Sequence, residues 1–137
     1  MKIITLGTFD ILHAGHIKLL KFCKDLGETV VGLNTDEFVA RYKGKPPVMT
    51  YNERKLILEE FGVRVIPNDQ ISGGILPILE AEKPRLIVVG SDWAVKDYVG
   101  QIGVTWKELE KLGIGICYFP RSLNMSTSLI KERVKNE

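Results

Sequence analysis

The decapeptide GTFDILHAGH, Gly7–His16, holds both histidines of the 137-residue chain, three positions apart and directly after a short apolar run. Three kinds of chemistry suit such a pair. Imidazoles at i and i+3 can share a metal with Asp10 as a third donor, but a protein zinc site wants three or more ligands and the chain has no other histidine. They can be satisfied packing residues, although a segment carrying Gly, Thr and Asp is an unusual place for packing. Or they can hold phosphate. Where a strand hands over to a helix near Gly15, unpaired N–H groups and the positive end of the helix dipole favour an anion, and imidazole N–H groups add donors. Gly7, Ala14 and Gly15 are small enough to let phosphates approach the backbone, and Thr8 offers a hydroxyl.

The elements that must position this segment follow from hydrophobic patterning. Ile3–Leu6, Thr29–Leu33, Val63–Ile66, Leu86–Val89 and Ile116–Phe119 are short, β-branched or aromatic runs that read as buried strands. Amphipathic segments with helix punctuation lie between them. The first carries its apolar stripe on Ile17, Leu19, Leu20, Cys23 and Leu26 and stops at Gly27. Thr50 with Glu53 and Thr105 with Glu108 are capping boxes for two further helices, which end at Gly62 and Gly113. A shorter helix over GILPILEAEKP has Pro77 near its first turn and closes at Pro84, and the tail STSLIKERVKNE forms a last helix capped by Ser126 or Thr127.

Strand–helix alternation of this kind dictates parallel pairing with right-handed crossovers. The expected fold is therefore α/β, a Rossmann-like three-layer arrangement around a five-stranded parallel sheet, in a single domain over residues 1–137. Ligands in such sheets bind beyond the strand C-termini. The segments to read for function are 7–16, 34–50, 67–74, 90–100 and 120–128.

Composition narrows the classes of partner. An apolar fraction of 45% and a charged fraction of 26% are those of an ordinary globular domain. A net charge of +2 provides neither a nucleic-acid surface nor a polybasic membrane anchor, and the one modest basic cluster is Arg41, Lys43 and Lys45. Cys23 and Cys117 lie in different elements without a CxxC, which favours free buried thiols. The N-terminal apolar stretch is too short for a signal-peptide core, and no run reaches the roughly 18 apolar residues of a membrane helix. A cytoplasmic protein with no membrane insertion and no nucleic-acid partner is expected. The first strand is not followed by GxGxxG, which argues against an NAD-binding oxidoreductase domain.

The pattern GTFDxxHxGH followed by a helix resembles the N-terminal motif of the cytidylyltransferase-like nucleotidyltransferases, whose HxGH binds the nucleotide triphosphate. RYKGKPPVMTYNERK, residues 41–55, is similar to the lysine loop and arginine-bearing helix of members that use CTP, and RSLNMSTSLIK, residues 121–131, to their RTxGISTT motif. NTDEF at 34–38 and GSDW at 90–93 extend the resemblance to essentially the whole chain. It implies transfer of CMP from CTP to a small phosphomonoester such as glycerol 3-phosphate, with release of pyrophosphate. A phosphate dianion is already a competent nucleophile, so the site needs alignment and charge stabilisation rather than a covalent intermediate.

By this resemblance His13, His16, Lys43 and Arg121 are catalytic. Thr8, Phe9, Asp10, Gly15, Lys45, Asp92, Trp93, Ser126, Thr127 and Ser128 join them in binding the nucleotide, and Lys43, on a mobile loop, meets the acceptor together with Arg54. Asp10 either orders its loop or helps to hold Mg²⁺ as a cofactor. Arg54 alternatively makes only an ion pair, Trp93 only packs, and the 126–128 hydroxyls only cap a helix. The resemblance also implies a homodimer. Asn124 stands where the family motif has glycine, Ser91 where members acting on glycerol phosphate have aspartate, and no lysine or arginine lies between Arg64 and Lys83, where those members carry a lysine near the acceptor phosphate. These departures leave nucleotidyl transfer in place and the acceptor open. Adenylyl transfer from ATP to a sugar phosphate, FMN or pantetheine phosphate, and a non-catalytic nucleotide-binding module, are the alternatives.

Overall fold

Successive residues of a strand point to opposite faces, so strands apolar throughout must be covered on both sides. In a computed structural model, which describes residues 1–70, 74–120 and 127–137, this is how the chain is arranged. In chain order the elements are β1 (Lys2–Gly7), α1 (Ala14–Leu26), β2 (Glu28–Asn34), α2 (Asp36–Lys43), α3 (Tyr51–Glu60), β3 (Arg64–Asn68), α4 (Leu76–Glu82), β4 (Leu86–Gly90), a 3₁₀ turn (Ser91–Val95), α5 (Tyr98–Gln101), α6 (Trp106–Leu112), β5 (Gly115–Phe119) and α7 (Thr127–Lys135). Ile4, Val30, Ile87 and Val89 face Leu79 of α4, Val99 of α5, Ile102 directly after α5, and Leu109 of α6. The neighbouring residues Val31 and Leu33 pack on the other face with Leu20 of α1 and Leu58 of α3, and Ile3 and Val88 with Cys23. The three layers expected from the alternation are present.

All five strands are parallel, in the order β3-β2-β1-β4-β5. β1 pairs with β2 on one side, Ile4 opposite Val30, and with β4 on the other, Ile4 opposite Ile87. The strand order reverses between β1 and β4, and their C-terminal ends, Gly7 and Gly90, open the crevice where such sheets bind ligands.

Both threonine capping boxes form, with Thr50 accepting from the Glu53 N–H and Thr105 from the Glu108 N–H. Segment 36–43, to which the hydrophobic pattern assigns no element, is α2. Thr35 caps it by accepting from the Phe38 N–H, Asp36 and Glu37 oppose the dipole at its start, Arg41 and Lys43 at its end, and Gly44 closes it with a left-handed φ of 80°. Lys43 is thus the last helical residue and not part of a mobile loop. Those capping signals were legible in TDEFVARYKG; the short helix escapes the hydrophobic pattern because only Val39 is buried. Cys23 is fully buried and Cys117 half-buried, both free.

Candidate active site

The first segment beyond β1 carries two residues with positive φ, Phe9 at 51° and Ile11 at 49°. A β-branched residue in that region is strained, and the contacts of Phe9 and Asp10 hold the segment in place. Phe9 is buried with its ring 5.2 Å from that of His16. Between the two strained residues, Asp10 accepts the Val48 and Met49 N–H groups on its two carboxylate oxygens, at 2.8 and 2.9 Å, and lies 3.5 Å from the Lys131 ammonium. Its own carbonyl accepts the Thr127 hydroxyl at 2.7 Å. Burial pushes the Asp10 carboxyl up, but the two backbone donors and Lys131 outweigh it and hold it below the usual carboxylate value. Of the two roles expected for Asp10, loop ordering is the one realised. Its oxygens are committed to N–H donors and a cation, and among the described residues no group of three His, Cys, Asp or Glu side chains is arranged to hold a metal. The donor set does not suit a resident Mg²⁺.

His13 is the N-cap of α1, its Nδ1 accepting the Gly15 N–H at 3.0 Å, while His16 reaches back so that its Nδ1 accepts the His13 N–H at 3.2 Å. The pair forms a capping box built from imidazoles, with the rings stacked 3.9 Å apart. An Nδ1 that accepts a hydrogen bond cannot carry the proton of a neutral ring, so both histidines are fixed as Nε2–H donors. Burial, and then the neighbouring His13, lower His16 from 6.5 to about 4, so its imidazole is neutral at pH 7. Neither ring belongs to the apolar core: both are half-buried and line a cleft of about 350 Å³ at the β1–β4 switch point.

Thr8, Phe9, Gly15, Lys43, Asp92, Trp93, Thr127 and Ser128 line the same cleft, so most of the residues singled out in the sequence do converge there. Lys18, on the first turns of α1, joins them and was not foreseen, although its place two residues after His16 was the available signal. Exposed Lys45 is not among the lining residues. Trp93 both packs, 5.4 Å from the Tyr98 ring, and lines the cleft. Arg121, Asn124 and Ser126 lie outside the described residues.

Arg54 requires a correction. Its side chain is 0% exposed and all of its donor nitrogens are used within the protein. Nε donates to the Met49 carbonyl at 3.0 Å, Nη1 to the Thr8 and Asn34 carbonyls at 2.8 Å each, and Nη2 to Asp36 Oδ1 at 2.7 Å. Rather than meeting an acceptor, the guanidinium ties together the ends of β1 and β2, the start of α2 and the segment before α3. The ion pair is the expected alternative that the geometry realises.

Residues 4–133 match the family described as cytidylyltransferase-like. The chain belongs to that family. Among its cytidylyltransferase-like relatives, the glycerol-3-phosphate cytidylyltransferase of Bacillus subtilis strain 168 is 38% identical over 136 residues, covering 97% of this chain and 96% of that protein. The bifunctional protein HldE of Helicobacter pylori strain G27 is 32% identical over 139 residues, which span 97% of this chain and 27% of HldE. Among solved structures, the lipopolysaccharide core biosynthesis protein of Thermoplasma volcanium GSS1 superposes with a TM-score of 0.68 at 32% identity, over 89% of this chain and 96% of that one.

Two outcomes follow from this geometry. Arg54→Met leaves three carbonyls and the Asp36 carboxylate without their donor, and should cost about 3 kcal/mol or more; an unchanged urea midpoint would remove Arg54 as the tie. Because the folded state keeps His16 neutral down to about pH 4 while the unfolded chain protonates it near 6.5, His16 makes stability fall as the pH drops from 7 towards 5. His16→Gln, which retains a capping-box acceptor without titrating, should show a shallower fall in urea unfolding at pH 7 and pH 5. Equal slopes would contradict the assignment.

Proposed function

We propose that this cytidylyltransferase transfers CMP from CTP to a small phosphomonoester. A phosphate oxygen of the acceptor attacks the α-phosphorus of CTP; the new P–O bond forms as the bond to the β-phosphate bridging oxygen breaks, and pyrophosphate leaves. The observation that carries this reading is the imidazole capping box, which presents two pre-oriented Nε2–H tautomers at the N-terminus of a 13-residue helix, in a cleft that also holds Lys43, Thr127 and Ser128. Donors fixed before substrate arrives need no reorganisation as charge develops on the transferring phosphoryl group. The near-full-length likeness to a glycerol-3-phosphate cytidylyltransferase supports CTP as donor and a polyol phosphate as acceptor.

Within this reading His13 and His16 donate to the α-phosphate oxygens, and Lys43 neutralises charge between donor and acceptor phosphates. Lys18, the Ser128 hydroxyl and the backbone N–H of Thr127 at the start of α7 face the remaining phosphates, joined by Arg121. Asp92 and Trp93, directly after β4, contact the nucleoside. Mg²⁺ arrives with the triphosphate, as part of the substrate rather than as a cofactor held by Asp10. The enzyme works as a homodimer, which the sequence resemblance supports, and is cytoplasmic, which its two isolated cysteines support.

Pyrophosphate release measured with CTP and ATP over a panel of phosphomonoesters tests the reading. CTP should be preferred; ATP ahead with every acceptor would overturn it. His16→Ala should lower kcat by about 10²- to 10³-fold, against a loss of about 1 kcal/mol from the missing cap. Unchanged specific activity in the folded fraction would remove His16 from the chemistry. Lys43→Ala should lower kcat and raise the acceptor KM together, and unaltered kinetics would take that lysine out of the site.

A further inference from the structure

A second cavity, of about 170 Å³, opens beside the main cleft and shares with it the wall formed by Leu6, Gly7, Thr8, Val89 and Trp93. Its far side is built from Asn34 at the end of β2, Asn68 at the end of β3, and Tyr98 and Gln101 of α5. Among its described lining residues there is no charged side chain. A chain of neutral hydrogen bonds runs along it. Asn68 Nδ2 donates to Asn34 Oδ1 at 3.0 Å, Asn34 Nδ2 donates to Thr8 Oγ1 at 3.1 Å, and the Thr8 and Tyr42 hydroxyls lie 3.3 Å apart.

Two buried polar atoms on residues that line this cavity have no partner among the described residues. Asn68, 2% exposed, leaves Oδ1 unpaired, and Tyr98, 5% exposed, leaves its hydroxyl unpaired. Buried polar groups without partners are costly and rare, and at the wall of a cavity they mark where a ligand's polar atoms belong. We propose that this cavity is the subsite for the carbon body of the acceptor, that it takes a neutral body bearing hydroxyl groups, and that Asn68 and Tyr98 select it by hydrogen bonding those hydroxyls. The inference rests on the CMP-transfer reading.

The position of Lys43 fits this division. It lines the main cleft, and its Nζ sits 5.7 Å from the centre of the Tyr42 ring, which lines the second cavity. The acceptor phosphate therefore sits at the junction beside Lys43 and Thr8 while its alcohol end points away from CTP. No lysine of the 65–82 stretch is needed to hold the phosphate, in keeping with the absence of any there.

A quaternary ammonium body is the competing ligand, since four aromatic residues, Phe38, Tyr42, Trp93 and Tyr98, line the cavity. Three of those rings already have a cation of the chain over them, Arg41 on Phe38, Lys43 on Tyr42 and Lys96 on Trp93. A trimethylammonium group also donates no conventional hydrogen bond and would leave Asn68 Oδ1 unpaired. A hydroxyl both donates and accepts, and so satisfies the amide and the phenol alike.

The test compares kcat/KM, with CTP, for glycerol 3-phosphate, n-propyl phosphate, which has the same three carbons and no hydroxyl, and phosphocholine. Glycerol 3-phosphate should lead n-propyl phosphate by at least about tenfold for each hydroxyl engaged, with phosphocholine no better than n-propyl phosphate. Tyr98→Phe removes a hydroxyl that is unpaired in the free protein, so it should fold at least as stably as the parent and reduce the glycerol-to-propyl ratio about tenfold or more. Asn68→Ala should reduce it likewise. Equal efficiencies for the first two acceptors, phosphocholine ahead of both, or an unaltered ratio in a folded Tyr98→Phe protein would overturn the subsite while CMP transfer stood. No turnover of CTP with any of the three or with any member of the wider phosphomonoester panel would overturn CMP transfer itself, and the subsite with it.

Discussion

A buried cation with every donor nitrogen engaged is the constraint on which the site depends. Arg54 lies in α3, yet its guanidinium is the common partner of carbonyls from Thr8, Asn34 and Met49 and of the Asp36 carboxylate. These groups belong to the ends of two adjacent strands and to the segments that leave them. In a parallel sheet the strand ends splay into loops whose carbonyls no longer have ladder partners. A planar fork with several fixed donors can serve them all at once, which a lysine ammonium cannot do in the same geometry. The cation is tolerated at 0% side-chain exposure because it is matched by a carboxylate and by carbonyl dipoles.

From that tie the site is built outwards in two directions. Asp10 receives the Val48 and Met49 N–H groups, so Met49 is held through its N–H by Asp10 and through its carbonyl by Arg54. Thr127 then hangs on the Asp10 carbonyl, which draws α7 to the β1 end of the sheet. The left-handed conformations of Phe9 and Ile11 persist inside this mesh because the contacts on either side over-determine them. The same short segment delivers His13 to the helix start, where helix capping and phosphate recognition use different nitrogens of the same rings. Each Nδ1 is used up in folding, and that is what gives Nε2 its proton.

Much of this was legible in the chain. The five strands fall within a residue or two of the apolar runs, and the Thr50 and Thr105 capping boxes form as their spacing dictates, because caps are set by contacts within four residues. The convergence of His13, His16, Lys43, Trp93 and Thr127 on one cleft follows from parallel topology, which gathers the segments after each strand at one end. Two residues read differently in three dimensions: Lys43 closes a helix and Arg54 is interior. An arginine in an exposed-looking NERK sequence gives no sign of burial, since what buries it are carbonyls 46, 20 and 5 residues away.

By itself the sequence determined what local chemistry determines: periodicity, caps, the two-histidine segment at a helix start, and through strand–helix alternation the layered parallel sheet. Only the tertiary structure decided which nitrogen of each imidazole carries the proton, which charged side chains face the cleft and which are consumed as internal partners, and that a neutral cavity with two unpaired polar atoms adjoins it. The physical reason is range. Backbone propensity and capping act across one turn of chain, whereas desolvation and hydrogen-bond satisfaction depend on groups brought together from distant elements, and no spacing along the chain encodes their final partners.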